Sequence, residues 1–340
     1  MSFSEITGHS GPISELKKFI TGGRIPSSLI FYGDEGVGKF RVAFQCAKAI
    51  NCSHDREASA SLFACASEPG KEQDGDACGS CPSCKQIDKG VHPDVRVIDR
   101  FFQANLLDEE VEKQKSLKID SIREMIKLAR SRPILSPKKI FIIDDADTMT
   151  IEAQNSILKI LEEPAEDNII ILVVSNRNSL LSTILSRCQT VKFNRLSDQE
   201  MEKILGSLDI DYAQASSLAR LSGGSVKKAM DFRNLISIIR EKSQVKELSP
   251  FLITSALGRE LYEVRANARL LLELLTNDLY GKRFSAGNEK AMQDAAALIR
   301  KNLHLIKYLD QNISPKIVCE LALIEYSRHY DFDFNTGDRQ

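Results

Sequence analysis

The fold is decided by the stretch Leu29-Ile30-Phe31-Tyr32-Gly33-Asp34-Glu35-Gly36-Val37-Gly38-Lys39. Its first four residues form an apolar run of strand length, and apolar residues at helical spacing follow Lys39. The residues from Gly33 to Lys39 satisfy the first seven positions of G-x-x-x-x-G-K-S/T, the phosphate-binding loop. Glycines such as Gly36 and Gly38 let backbone N–H groups converge on phosphate oxygens, and Lys39 can reach the terminal phosphates. The stretch therefore predicts a strand, a phosphate loop and a helix in that order.

Strand-like apolar runs alternate with helical patterns in the first part of the chain. The runs lie at 95–98, 140–143, 169–174 and 191–193, and the helical patterns lie at 13–20, 119–133 and 150–164. This alternation predicts an α/β domain over 1–194 with a parallel sheet that helices cover on both faces. After residue 195 only helical spacing recurs. We expect a small helical domain over 195–240, a larger all-helical C-terminal domain over 241–330 and a polar tail over 331–340.

The composition limits the possible classes of function. The chain has 340 residues, of which 42% are hydrophobic, and this suffices for two or three domain cores. The formal net charge of −1 argues against a protein that binds nucleic acid alone through one large basic surface. No window reaches the ~20 apolar residues of a membrane helix, and the N-terminus lacks a basic start and an apolar signal core. We therefore expect a cytoplasmic protein with no membrane partner.

Two departures mark the predicted phosphate site. The eighth position of the loop, where a hydroxyl binds Mg²⁺, is Phe40. After strand 140–143, Asp144 suits the carboxylate that orders Mg²⁺, and Asp145 takes the place of the carboxylate that polarises water. Its side chain is one methylene shorter than glutamate, and such a shift costs about 10²-fold where geometry is tight. Nucleotide binding can survive these changes, but efficient hydrolysis is not expected, and ATP with Mg²⁺ stays open as a cofactor. The plainer interpretation of the acids is a capping cluster before a helix near Thr150.

Six of the eight cysteines fall within one short stretch of the chain. Three of them have the spacing with which thiolates surround Zn²⁺, namely Cys78-x2-Cys81-x2-Cys84. Nothing near them supplies a base and an open site, so a structural Zn²⁺ is predicted, with surface thiols as the alternative. Cys52 and Cys65 compete for the fourth position, and His54 and His92 are weaker candidates. The remaining cysteines lie in apolar surroundings and are predicted to be buried packing residues: Cys46, Cys188 and Cys319.

The motifs of the chain also follow a recognisable order. They are the loop ending at Lys39, the cysteine cluster with Gly90-Val91-His92-Pro93-Asp94, Ile119-Asp120-Ser121-Ile122-Arg123-Glu124, Asp144-Asp145-Ala146-Asp147, Asn155-Ser156-Ile157-Leu158-Lys159-Ile160-Leu161-Glu162-Glu163-Pro164 and Ser186-Arg187-Cys188-Gln189. In these residues the chain resembles bacterial clamp-loader subunits of DNA polymerase III, within the AAA+ superfamily, and among them the delta-prime type. The resemblance covers about residues 5–230, with only length and helical character agreeing beyond 240.

The resemblance implies roles for particular residues. Arg187, which by itself could be a surface ion-pair partner, would be an arginine finger that enters the ATP site of a neighbouring gamma/tau-type subunit. Asn176 would lie at the sensor-one position. Lys227 would lie at the sensor-two position, where active members generally carry arginine. Cys52 would be the fourth zinc ligand, although the gap to the next ligand is longer than the family usually shows and Cys65 remains a rival.

The resemblance also implies an architecture and partners. The expected architecture is an AAA+ P-loop domain with a zinc module at about 52–84, a helical lid and a C-terminal collar domain. The implied partners are gamma/tau-type and delta-type subunits, the sliding clamp, and primed DNA that is contacted through the assembled complex.

The departures from the active pattern all point the same way. Phe40, Asp145 and Lys227 together indicate a subunit that does not hydrolyse ATP but helps to load the clamp. Two alternatives stay open. One is an ATP-hydrolysing gamma/tau-type subunit, which Lys39 and Asp144 favour. The other is a zinc-containing DNA-binding protein of repair or recombination.

Overall fold

The first part of the chain is built on a five-stranded sheet. A computed structural model describes residues 2–53, 75–243, 248–285, 289–311, 313–332 and 334. The strands are β1 (Ser28–Tyr32), β2 (Val95–Ile98), β3 (Lys139–Ile143), β4 (Asn168–Val174) and β5 (Gln189–Lys192). They lie in the order β2-β3-β4-β1-β5, and every neighbouring pair is parallel. The expected parallel sheet is thus confirmed.

Helices cover both faces of this sheet. They are α1 (Ser10–Thr21), α2 (Lys39–Asn51), α3 (Pro82–Asp88), α4 (Arg100–Leu107), α5 (Ile119–Ala129), α6 (Ile151–Glu162) and α7 (Ser182–Leu185). Because successive side chains of a strand point to opposite faces, Leu29 and Phe31 join one hydrophobic cluster and Ile30 joins another. The first cluster includes residues of α1, α2 and α3, and the second includes residues of α5, α6 and α7. Burial on both faces explains why β3 and β4 are almost entirely apolar.

The register of the sheet brings the ends of three strands together. Tyr32 at the end of β1 lies opposite Val174 at the end of β4. Ile143 at the end of β3 lies opposite Leu172 of β4. Because all strands are parallel, the segments that follow them meet at one edge, where ligands of open α/β sheets usually bind.

Three short helices of the sheet domain were not predicted, namely α3, α4 and α7. α3 begins after Cys81, and α4 begins after Asp99, whose carboxylate accepts a hydrogen bond from Phe102 N at 2.8 Å. The helix expected to run to about Pro133 ends at Ala129. There the buried ammonium of Lys139 donates hydrogen bonds to the carbonyls of Leu128 and Ser131, at 3.1 Å each, and so satisfies groups at the helix end.

The second part of the chain is helical, and the chain divides into two compact units between Arg195 and Leu196. Its helices are α8 (Asp198–Gly206), α9 (Tyr212–Ser222), α10 (Val226–Lys242), α11 (Ser249–Ser255), α12 (Leu261–Ser285), α13 (Glu289–Asp310) and α14 (Pro315–Ser327). One hydrophobic cluster contains buried residues from both 196–239 and 253–334. The finer division into a lid and a collar at about residue 240 stays a prediction. No helix of the described residues is long and apolar enough to cross a membrane.

Candidate functional site

The predicted phosphate loop connects β1 to α2 and has the backbone that its glycines permit. Gly36 and Gly38 adopt φ values of 75° and 102°, a region that residues with a Cβ rarely enter. Gly33 also has a positive φ, and a Cβ there would lie 2.2 Å from the carbonyl oxygen of Phe193. The loop therefore needs glycine at Gly33 because β5 and the segment after it approach too closely for any side chain.

Lys39 begins α2, and its side chain folds back over the loop. Its Nζ donates hydrogen bonds to the carbonyls of Gly33 at 2.8 Å and Asp34 at 2.6 Å, and to Ser175 Oγ at 3.3 Å. Burial lowers the pKa of Lys39, while the nearby carboxylates of the acid box act in the opposite direction. This geometry places one cation at the edge of the sheet, between the phosphate loop and the end of β4.

The acid box Asp144-Asp145-Ala146-Asp147 follows β3 at the same edge. Burial first, and then the neighbouring charge of Asp145, raise the pKa of Asp144 to about 6. Asp145 is exposed and has a left-handed backbone with φ 48°. Its carbonyl accepts hydrogen bonds from both the backbone N–H and the hydroxyl of Thr148, at 2.8 Å each. Asp145, the residue predicted to take the place of the catalytic acid, is thus the first residue of a tight turn.

Phe40 does not supply a polar group to this edge. Its half-buried side chain packs against the hydrophobic cluster that α1, α2 and α3 share, with its ring centroid 6.1 Å from that of Phe44. The carboxylates present are suited to Mg²⁺, but the protein hydroxyl that a working loop contributes is missing. The residues therefore fit a phosphate group better than they fit a complete Mg-ATP site.

Several neighbours of the loop were not foreseen. Asp147 Oδ2 accepts a hydrogen bond from Asn176 N at 3.3 Å, and its buried Oδ1 has no hydrogen-bond partner among the described residues. His9 Nε2 lies 2.7 Å from the carbonyl oxygen of Val37, inside the loop. The exposed Arg195 forms an ion pair with Asp34. Only Asp147 had a sequence signal, since it belongs to the acid box.

Two of the residues with implied sensor roles lie in different units. Asn176 is the second residue after β4, and its side-chain oxygen accepts a hydrogen bond from Asn178 N at 3.0 Å. Its backbone N–H contacts the acid box through the hydrogen bond to Asp147. Lys227 is exposed in the first turn of α10, in the helical unit. Its sensor-two role stays a prediction.

Arg187 lies after α7, on the segment that leads into β5. Its Nη2 forms an ion pair with Glu162 Oε1 at 2.8 Å, and its Nη1 donates to the carbonyl of Thr183 at 2.9 Å. About a third of the side chain remains exposed, 34%. The guanidinium is therefore held in a defined position at the surface by α6 and α7.

Four cysteines converge at the other end of α2. The sulfur atoms of Cys52, Cys78, Cys81 and Cys84 all lie within 4.8 Å of one another. Tetrahedral Zn–S bonds of ~2.3 Å place sulfurs ~3.8 Å apart, and the Cys52 and Cys81 sulfurs are 3.9 Å apart. The donor set and its spacing thus fit Zn²⁺. Cys65 and His54, named as other candidates for the fourth ligand, lie outside the described residues.

Local structure explains why the cluster forms. Cys52 follows the last residue of α2, and Cys81 is the N-cap of α3. Gly79, with φ 71°, allows the tight turn between Cys78 and Cys81, and Cys81 N donates to the Cys78 sulfur at 3.3 Å. Burial raises the pKa of Cys81, but hydrogen bonds, chiefly from Ser53, lower it to about 6. A thiolate is the form that binds metal.

His92 is not part of this cluster. It is buried, and its Nε2 lies 3.2 Å from Ser83 Oγ and 3.1 Å from Ser136 Oγ. The buried carboxylate of Asp94 accepts hydrogen bonds from three backbone N–H groups of residues 134–136. The His-Pro-Asp motif therefore fastens the loop before β3. The remaining cysteines are buried as predicted: Cys46, Cys188 and Cys319.

The parallel sheet and the phosphate loop at the edge of its strands define an α/β protein of the P-loop class. The family model described as "DNA polymerase III, delta subunit" matches residues 8–197, which is more than half of the chain. The chain belongs to this family.

Curated relatives include several subunits of DNA polymerase III. The chain is 30% identical over 225 residues to subunit delta' of Bacillus subtilis, covering 66% of this chain and 59% of that protein. It is 30% identical over 234 residues to subunit tau of the same organism, covering 67% of this chain and 36% of tau. Among solved structures, a gamma subunit-related protein from Thermotoga maritima is similar in fold, with a TM-score of 0.45 and 18% identity over 94% of this chain and 99% of that one.

Proposed function

We propose that the chain is a DNA polymerase III clamp-loader subunit that does not turn over ATP and lends Arg187 to the ATP site of a neighbouring gamma/tau-type subunit. In this role it acts with gamma/tau-type and delta-type subunits to open a sliding clamp and place it on primed DNA. Membership of the family and the DNA polymerase III relatives support the assignment to this complex.

The packing of Phe40 carries the proposal. A loop that hydrolyses Mg-ATP needs a hydroxyl at this position to bind the metal, and the half-buried Phe40 instead packs against the hydrophobic cluster beside Phe44. The exposed position of Asp145, at the start of a turn, agrees with the loss of a catalytic carboxylate. Lys227 in place of the usual arginine is the third departure in the same direction.

The finger role rests on where Arg187 lies. An arginine finger must be ordered and accessible to another subunit, because it contacts the phosphate of a nucleotide that the neighbouring subunit binds. Arg187 is held by Glu162 and Thr183 and keeps about a third of its side chain exposed. A guanidinium in this position can exchange one ion pair for a phosphate contact.

A structural zinc held by Cys52, Cys78, Cys81 and Cys84 completes the proposal. The metal would join the end of α2 to α3, which the buried ammonium of Lys48 also links through Asp88 at 2.8 Å. Metal coordination would order a segment that is polar and rich in glycine. We assign the metal no part in catalysis, because the four sulfurs leave no open position for a substrate.

The test is an ATPase assay of the purified chain, alone and with each combination of clamp-loader partners. We expect no turnover by the chain alone. Hydrolysis of several ATP molecules per minute that Lys39→Ala abolishes would contradict the proposal. Such activity would establish the alternative, an ATP-hydrolysing gamma/tau-type subunit, which the placement of Lys39 beside Asp144 favours.

A zinc-containing DNA-binding protein of repair or recombination is the remaining alternative. With a net charge of −1, the isolated chain should bind DNA weakly and lose binding as salt rises. Tight binding of the chain alone at physiological salt would support the alternative. Co-purification with a sliding clamp and gamma/tau-type partners would support the proposal.

A further inference from the structure

The outer edge of the sheet is formed by β2. Among the described residues, β2 pairs with β3 alone. On that side the carbonyl of Asp94 accepts from Ile140 N at 2.7 Å. The carbonyl of Ile98 accepts from Asp144 N at 3.1 Å. Because alternate residues of a strand face the same neighbour, the peptide groups of Val97 point away from β3. Such an edge can pair with one further strand.

An apolar pocket of about 210 Å³ lies against this edge. Residues 95–97 of β2 all line it. Because successive side chains point to opposite faces, a pocket that touches three residues in succession reaches the backbone edge. Phe44 and Ile87 line the pocket from one face of the sheet, and Phe102 lines it from the other. A cavity of ~150 Å³ holds benzene, so this pocket admits one large apolar side chain.

Three basic side chains lie in or close in sequence to the segments that line the pocket. Lys89, Arg96 and Arg100 are exposed, and none of them forms an ion pair with the described residues. Arg96 itself lines the pocket. The acidic residues of the same stretch are all engaged: Asp88 with Lys48, Asp94 with the backbone of 134–136, and Asp99 with Phe102 N. Among the described residues of 88–100, the exposed charged side chains that form no ion pair are therefore all basic.

We propose that this surface binds an extended acidic peptide segment of a partner protein. The segment pairs with the free edge of β2, and its acidic residues meet Lys89, Arg96 and Arg100. One aromatic or branched aliphatic side chain enters the pocket beside Phe44 and Phe102. A nucleic acid is the less suitable occupant, because a phosphate backbone uses the basic groups but neither the strand edge nor the apolar pocket.

The experiment selects phage-displayed random dodecapeptides on the immobilised full-length chain. We expect enriched peptides in which acidic residues flank a single aromatic or branched aliphatic residue. The best of them, made synthetically, should slow hydrogen exchange at residues 95–98 when it binds. Absence of enrichment, enrichment without acidic residues or without the apolar anchor, or protection elsewhere in the chain would overturn the proposal.

Variants separate the two parts of the surface. Arg96→Glu should weaken binding of that peptide by about tenfold or more. The matched charge reversal Arg132→Glu, at another exposed arginine, should change it by less than about twofold. Val97→Pro removes a donor at the open edge, where proline is tolerated, and should also weaken binding about tenfold. Full binding by Arg96→Glu and Val97→Pro would refute the site. So would tighter binding of a single-stranded oligonucleotide to the same residues.

Discussion

The two ends of α2 carry two candidate sites that differ in how many of the expected reactive groups are present. Lys39, at the first residue of the helix, belongs to a phosphate loop whose backbone is intact but whose metal-binding hydroxyl is replaced by Phe40. Cys52, just past the last residue, belongs to a cluster in which all four thiols converge within 4.8 Å. The comparison teaches that a loop can keep its shape after losing reactive groups, because glycines and core packing maintain it. A cysteine cluster has no such support without its ligands.

The largest effect on stability should come from a substitution in the four-cysteine cluster. Cys78→Ser removes the least buried of the four clustered cysteines, so its effect should report on the proposed metal rather than on packing. Structural zinc contributes ~10–16 kcal/mol in small zinc peptides. We expect the variant to lose stoichiometric zinc by metal analysis and about 4 kcal/mol or more of unfolding free energy in denaturant.

Two matched variants sharpen that test. Cys188→Ala, at a buried cysteine remote from the cluster in sequence, should keep zinc and cost about 1 kcal/mol. Cys52→Ser and Cys65→Ser, compared side by side, should show zinc loss in the first alone. Full zinc content in Cys78→Ser would remove the site altogether.

A variant of Arg187 tests whether the chain assists ATP hydrolysis in a neighbouring subunit. In the assembled loader, Arg187→Ala should lower the clamp-stimulated ATPase by about 10³-fold, which corresponds to about 4 kcal/mol, because the finger stabilises transition-state charge. Circular dichroism should show an unchanged fold. Arg132→Ala, at an exposed arginine outside the quoted motifs, is the control and should leave the rate unchanged. Undiminished activity in Arg187→Ala would contradict the finger assignment.

The raised pKa of Asp144 in the acid box should make the free energy of unfolding depend on pH. The pKa of Asp144 rises from 3.8 to about 6 on folding, so the folded chain binds more protons in this window and the free energy of unfolding falls as pH increases through it. Without Mg²⁺, Asp144→Asn should raise the unfolding free energy by about 2 kcal/mol at neutral pH and by little at a pH of about 4.

The control for this measurement is a carboxylate that lacks the surroundings of Asp144. Burial, and then the charges of Asp145 and Asp99, raise the pKa of Asp144, and Lys39 lowers it. Glu166→Gln changes an exposed carboxylate elsewhere and should alter stability little at either pH. An equal gain in Asp144→Asn at both pH values would show that the ionised carboxylate is not the cause.

The smallest effect should come from the loop itself. If the loop performs no hydrolysis, Lys39→Ala should change the clamp-stimulated ATPase of the assembled loader by less than about twofold, although the same change in a gamma/tau-type subunit removes turnover there. The comparison between the two ends of α2 breaks if Lys39→Ala lowers the rate strongly in a variant that still folds and assembles.

Local signals account for most of what could be predicted. Four of the five strands were predicted to within one residue at each end, because a run such as Ile140 to Ile143 is buried on both faces and carries only apolar side chains. The short β5 was expected at 191–193 and lies at Gln189–Lys192. α3 and α4 were missed because each is short and starts from a cap, at Cys81 and Asp99, rather than from a long apolar period. His9 and Arg195 were missed because nothing local links them to the phosphate loop.

By itself, the sequence determined the phosphate loop, the loss of its hydroxyl at Phe40 and the cysteine spacing, since each of these depends on residue type over a few neighbouring positions. Only the tertiary structure decided what meets across the sheet. It brought Cys52 to the other three thiols and held Arg187 against Glu162. Within the described residues it paired β2 with β3 alone, beside an apolar pocket. These contacts join residues far apart in the chain, and they follow from strand order and register, which no local pattern specifies.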